Sequence, residues 1–120
     1  MLMSAADKGH PGIVRALLQA KAEVNAVNNH GCTALMLAAQ NGHLEVARAL
    51  IQANAEINAA NWLGETALMI AVQEEQIPCV QLLLQAGANR EHKNHAGQTA
   101  YNFAQQLKDD DIREEILRLL

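Results

Sequence analysis

Aromatic residues are scarce in this chain of 120, which has one Trp, one Tyr and one Phe, at Trp62, Tyr101 and Phe103. Half of the residues are apolar, so the core must be thin and made chiefly of alanine and leucine. Serine occurs once, at Ser4, and the three threonines occupy equivalent positions, so no hydroxyl is singled out as a nucleophile. The two cysteines, Cys32 and Cys79, have neither a C-x-x-C spacing nor metal partners at the usual offsets. Basic residues are outnumbered, 9 Lys and Arg against 13 Asp and Glu, and the net charge of −4 gives no clustered basic face for nucleic acid. No apolar run approaches the length of a membrane span, and Met1-Leu2-Met3-Ser4 does not read as a signal peptide. The expectation is a cytoplasmic protein, or a secreted or periplasmic form already trimmed of its leader. No Gly-rich phosphate loop, H-E-x-x-H or catalytic triad is visible. These absences point away from an enzyme and from any cofactor or metal.

What is present is a period. Gly31, Gly64 and Gly97 fall 33 residues apart, and so do Thr33, Thr66 and Thr99. The stretch 28–60 therefore overlays 61–93, then 94–120, and its last two-thirds overlay 1–27. A fixed period of this length means one unit stacked on copies of itself, and such a stack needs about three units to be stable. At 120 residues the chain is a single domain that buries roughly two-thirds of its unfolded surface.

Each unit has three parts. In the copy at 28–60, Thr33 is placed to cap a short helix running to Ala39, and Asn41-Gly42 stops it, because glycine adopts the left-handed conformation cheaply. A second helix runs from Glu45 to Gln52 with an apolar stripe of Val46, Ala47, Leu50 and Ile51, and ends at Ala53-Asn54-Ala55. An extended, turn-rich connection follows, with Gly64 at its tip. Helices of two or three turns are marginal alone in water, so Leu35, Leu37, Leu50 and Ile51 are expected to pack against their equivalents in neighbouring copies.

The pattern resembles the ankyrin repeat family. Gly31, Thr33, Leu35, Ala38, Ala39, Gly42, His43, Glu45, Val46, Leu50, Ala55 and Asn58 match the family's consensus, over three full-frame copies and one incomplete first copy. Asn28, Asn61 and Asn94 stand where the family prefers Asp; Ala34, Ala67 and Ala100 replace its Pro; Met36 and Met69 replace its His. The resemblance implies an all-α solenoid of about three and a half helix-turn-helix units joined by β-hairpin-like loops. The incomplete copy at 1–27 fits a chain cut from a longer array or a natural abbreviated first unit. Residues 94–120 read as an end cap, with Asp109-Asp110-Asp111 placed at a helix N-terminus where the dipole favours acid. Glu75-Gln76 departs from the Gly9-His10 and Gly42-His43 of the other copies.

Five histidines are distributed by the same frame. His10 and His43 occupy a position that, in ankyrin-like proteins, supports the neighbouring loop by hydrogen bonds. His30 and His95 fall at hairpin tips, and His92 beside His95 is too weak a pattern for zinc. Cys79 aligns with Val46 and belongs to the core, whereas Cys32 follows a tip glycine and is a candidate free thiol.

Residues fixed by the period are committed to the fold, so a partner must be read by the positions that vary. In ankyrin-like stacks these are the hairpin tips and the exposed face of the first helix, which line a concave side. Here they are Asp7 and Lys8; Asn29, His30, Cys32, Gln40 and Asn41; Trp62, Leu63, Glu65, Gln73 and Glu74; and His95, Ala96, Gln98, Gln105 and Gln106. Trp62 and Leu63 replace Asn29-His30 and His95-Ala96, so the unit does not require them. An exposed aromatic in a polar surround has the character of an interface hot spot. The alternative is a Trp62 folded down over its neighbour's loop. The expected function is a monomeric, non-catalytic module that binds another protein as scaffold, targeting element or inhibitor, with no nucleic acid or membrane. A recruitment domain cut from a larger enzyme or secreted effector is the competing reading.

Overall fold

A computed structural model describes residues 1–120 as eight α-helices without strands. The first helices of the units are α1 (Leu2–Lys8), α3 (Ala34–Asn41), α5 (Ala67–Gln73) and α7 (Ala100–Gln105). The second helices are α2 (Pro11–Gln19), α4 (Leu44–Gln52), α6 (Ile77–Gln85) and α8 (Asp110–Leu119). The threonines start three of the first helices as their spacing predicts. Thr33, Thr66 and Thr99 are extended and accept from the amides of Met36, Met69 and Asn102. Pro11 and Pro78 lie in the first turns of α2 and α6, where a missing N–H leaves no bond unmade. Asp109 caps α8 by accepting from the amides of Asp111 and Ile112.

Each first helix packs on its own second helix and on the first helix of the next unit, and the second helices form a parallel row of contacts. The result is a two-layered stack of 42 × 26 × 22 Å. Leu35, Met36, Leu50, Leu68, Met69, Leu83 and Ile116 are fully buried between the layers. Ala38, Ala39, Ala47, Ala71 and Ala104 fill the rest of the core and keep the helices close. Two expectations change. Leu37 and Ile51 are only partly buried, and Met36 takes the interior place beside Leu35. At about 100° per residue, Leu35, Met36, Ala38 and Ala39 form the inward arc of α3, which turns Leu37 toward the hairpin side. Helix α3 also runs two residues beyond Ala39, and α4 begins at Leu44.

Successive units are tied by polar groups that reach backwards. His43 Nε2 lies 3.0 Å from the Asp7 carbonyl. A carbonyl can only accept, so Nε2 carries the proton. Gln76, at the equivalent position, donates to the Gln40 carbonyl at 3.3 Å. Below them, Asn25 Oδ1 accepts from Glu56 N and Asn58 Oδ1 from Asn89 N, both at 2.8 Å. The residue in front of each reaching side chain is a left-handed glycine, Gly9 (φ 77°) or Gly42 (φ 71°), and a Cβ there would strike the His43 ring or the Gln76 amide. His10, at the equivalent position of the first unit, is exposed.

The irregular Glu75 follows from the same geometry. Its φ is 59°, so it keeps the left-handed conformation of Gly9 and Gly42. The reaching position behind it is Asp109, whose carboxylate caps its own helix instead. A side chain at position 75 therefore meets no incoming donor, and only the backbone strain remains, on the order of 1 kcal/mol. Glu75→Gly is expected to raise the stability by about that amount, seen as a higher urea midpoint with an unchanged slope; a lowered midpoint would mean that the Glu75 side chain contributes more than its backbone loses.

The first pair, α1 and α2, packs on one neighbouring unit only. Ile13 is 49% exposed, whereas its equivalents Val46 and Cys79 are each 1% exposed. Local opening should follow this difference, since segments with fewer buried contacts open below the global free energy. Amides of Leu2–Leu18 should exchange with deuterium faster than those of Leu35–Ile51, and equal protection would contradict this.

Candidate functional site

The hairpin tips are built by asparagine. Asn28 Oδ1 accepts from the amides of His30 (2.9 Å) and Cys32 (3.0 Å), and Asn61 and Asn94 repeat the arrangement toward Leu63 and Glu65, and Ala96 and Gln98. This local turn is the reason that Asn serves where Asp would also serve. Single antiparallel bridges, Val27 with Thr33 and Ala60 with Thr66, close two of the arms. The tips then join one another, because Trp62 N donates to His30 O at 3.2 Å and His95 N to Leu63 O at 3.1 Å. His92 adds a contact from its Nε2 to Gly64 O at 3.0 Å.

Both readings of Trp62 describe part of what is seen. Its indole lies over Gly31, so closely that a Cβ there would meet the pyrrole edge, and His95 lies over Gly64 in the same way. Covering the preceding tip glycine is thus a property of the position. Yet Trp62 remains 65% exposed and Leu63 66%. Between the second and third units these two residues border a groove of about 470 Å³, lined also by His30, Cys32, Leu37 and Gln40.

The structure separates the sequence-predicted residues. His30, Cys32, Gln40, Trp62 and Leu63 come together at this groove. Asn41, His95 and Gln98 have duties within the stack: Asn41 Nδ2 donates to the Asp7 carbonyl (3.1 Å) and carboxylate (2.8 Å), His95 covers Gly64, and Gln98 Oε1 accepts from Asn94 Nδ2. Asn29, Gln73 and Glu74 are exposed outside the groove, and Glu65 is half-buried at the base of its hairpin. Leu37 is the lining residue that the sequence argument placed elsewhere. Its equivalents, Ser4, Ile70 and Phe103, vary in size and polarity, and Ile70 among them is buried, so the frame alone does not mark the position as surface.

Both cysteines are free. Cys79 is buried on α6, and desolvation pushes its thiol above the ordinary range, which keeps it protonated and unreactive. Cys32 is half-buried at the groove, with Asn61 Nδ2 3.7 Å from its sulfur. No group of three or more His, Cys, Asp or Glu is placed to hold a metal ion, and no helix is long and apolar enough to cross a membrane.

A family model for ankyrin repeats in three copies matches residues 1–61, and one for a single ankyrin repeat matches residues 63–95. The chain belongs to the ankyrin repeat family. Helices α7 and α8 continue the stack of ankyrin units beyond the matched residues. No curated protein matches the chain. Ankyrin repeats are generally non-catalytic modules of protein–protein interaction.

The burial difference between the thiols has a direct readout. A disulfide reagent such as DTNB should titrate Cys32 in the native protein and reach Cys79 only on unfolding. Simultaneous reaction of both under native conditions would show that α6 opens far more readily than its burial indicates.

Proposed function

We propose that this chain binds another protein through its concave face, with Trp62 and Leu63 as the anchoring residues and His30, Cys32, Leu37 and Gln40 around them. One observation supports the reading above the others. Two large apolar side chains stand in solvent beside an open groove, at positions where the flanking units carry Asn29-His30 and His95-Ala96. The tip backbone is already tied by its own ladder, and His95 shows that a smaller ring covers the neighbouring glycine equally well. The extra apolar area of the indole therefore serves little in the free protein, and exposed apolar area rimmed by polar groups marks interaction surfaces. Binding by such a face requires no chemistry from the module, which would act by positioning or occluding its partner.

Trp62→Ala is expected to change stability by less than about 1 kcal/mol, as surface substitutions do. The same change should weaken partner binding by about 2 kcal/mol or more, the range of hot-spot truncations. Leu63→Ala should act in the same direction with a smaller effect, and Gln85→Ala and Arg118→Ala, on second helices, should leave binding unchanged. Urea denaturation beside a binding titration separates these effects. A Trp62 variant that unfolds early and binds normally once folded would assign the residue to the stack and overturn the proposed face.

A further inference from the structure

The groove has two flanks of different character. Its own walls are uncharged, with Cys32, Leu37, Trp62 and Leu63 set among Asn28, His30, Gln40 and Asn61. One unit further along, beyond the Trp62-Leu63 ridge, the equivalent of Cys32 is Glu65 and the equivalent of Asn41 is Glu74. The unit after that returns to neutral residues, Gln98 and Leu107, at the same two positions. Both carboxylates are thus confined to the unit that also carries the exposed tryptophan. Neither takes part in an ion pair; those present are Arg15 with Glu45, Arg48 with Glu45, and Arg113 with Asp110. Lys8 and Lys108 stand in the first and last units, and Lys93 shares the far end of the stack with Arg90 and Tyr101. The third unit therefore carries, at the two ends of α5, negative charge that no ion pair compensates.

Resting on the concave-face reading above, we infer that the occupant of the groove is an extended protein segment with an apolar anchor and a basic residue about three positions away. The apolar side chain enters between Leu37, Trp62 and Leu63, and the lysine or arginine crosses the ridge into the field of Glu65 and Glu74, which flank the two ends of α5. The spacing follows from the stack. Its 42 Å length spans four helix pairs, which puts successive units about 10 Å apart, as packed helices require. An extended segment advances about 3.3 Å per residue, so one unit corresponds to roughly three residues. A segment with an acidic residue there would bring like charges together across a partly desolvated flank, which an interface of this kind excludes.

The test is selection of a random-peptide phage library on the full chain, followed by titration of one synthesised, selected peptide. Trp62 is the sole tryptophan, so its emission reports occupancy of the groove directly, and the anisotropy of a dye-labelled copy of the peptide gives the readout for Trp62→Ala. The expected outcome is enrichment of Lys or Arg about three positions from a large apolar residue. The Glu65→Gln, Glu74→Gln double variant should bind the peptide about fivefold more weakly, in keeping with the loss of two solvent-screened charges. Added salt should weaken wild-type binding and leave the double variant nearly unaffected, and equal urea midpoints would show that both are folded alike. Selected peptides without excess basic residues, an acidic consensus, an empty selection, or an unchanged double variant would overturn the inference. So would a concentration-dependent shift of Trp62 emission without peptide, which would make a second copy of the chain the occupant. If Trp62→Ala abolishes binding while the glutamate variant does not, the groove stands and only the basic requirement fails. If Trp62→Ala binds the peptide normally, the concave-face reading itself fails.

Discussion

Helices of six to ten residues do not persist alone in water, and every helix in this protein is of that length. All else in the fold answers to that constraint. Thr33, Thr66 and Thr99 cap three of the first helices, but the larger contribution is the burial of Leu35, Met36, Leu50 and their equivalents against adjacent units. With neighbours this close, alanine is the residue that fits at Ala38, Ala39 and Ala71, which explains a core nearly without rings. Stability in such a stack is approximately a sum of unit and nearest-neighbour terms. A pair such as α1–α2, with its exposed Ile13, is therefore expected to open locally before the central units do.

The same arrangement decides how the protein can present itself to others. At the tips the backbone groups are largely occupied. Asn28, Asn61 and Asn94 each satisfy two amides, and the carbonyls of His30 and Leu63 accept from the next unit. Strand addition to these arms is thus closed off, and recognition is left to side chains standing on a tied framework. The groove at Leu37, Trp62 and Leu63 is the place where those side chains are apolar and open.

Most of the fold was legible because the period repeats each signal. A single Thr before an apolar run is ambiguous, but three at one offset are not, and Gly42 and the Pro11 and Pro78 positions marked helix ends and starts that the structure shares. Candidate binding positions were legible only as the complement of the fixed ones. That complement included Asn41, His95 and Gln98, which turn out to bond or pack within the stack, because sequence shows that a residue varies and not what it touches. Leu37 failed in the opposite sense. A leucine in a short helix reads as core, and only the angular position of residues 35, 36, 38 and 39 shows that the inward arc was already full. Glu75 read as a broken pattern, and its explanation lay thirty-four residues downstream at Asp109, beyond the reach of any local rule.

That last pairing makes the order of mutation matter. A side chain placed at position 42 would displace the Gln76 amide and sever its bond to Gln40, so glutamate there is disfavoured twice, by clash and by backbone. At position 75 the first penalty is absent because Asp109 points elsewhere. Two residues that need not touch are therefore epistatic: loss of the backward donor opens the glycine site to drift, whereas loss of the glycine first would pass through a less stable intermediate. Along such an array, degeneration of the repeat signature spreads far more readily from a unit whose backward donor is already lost than from one in which it is intact.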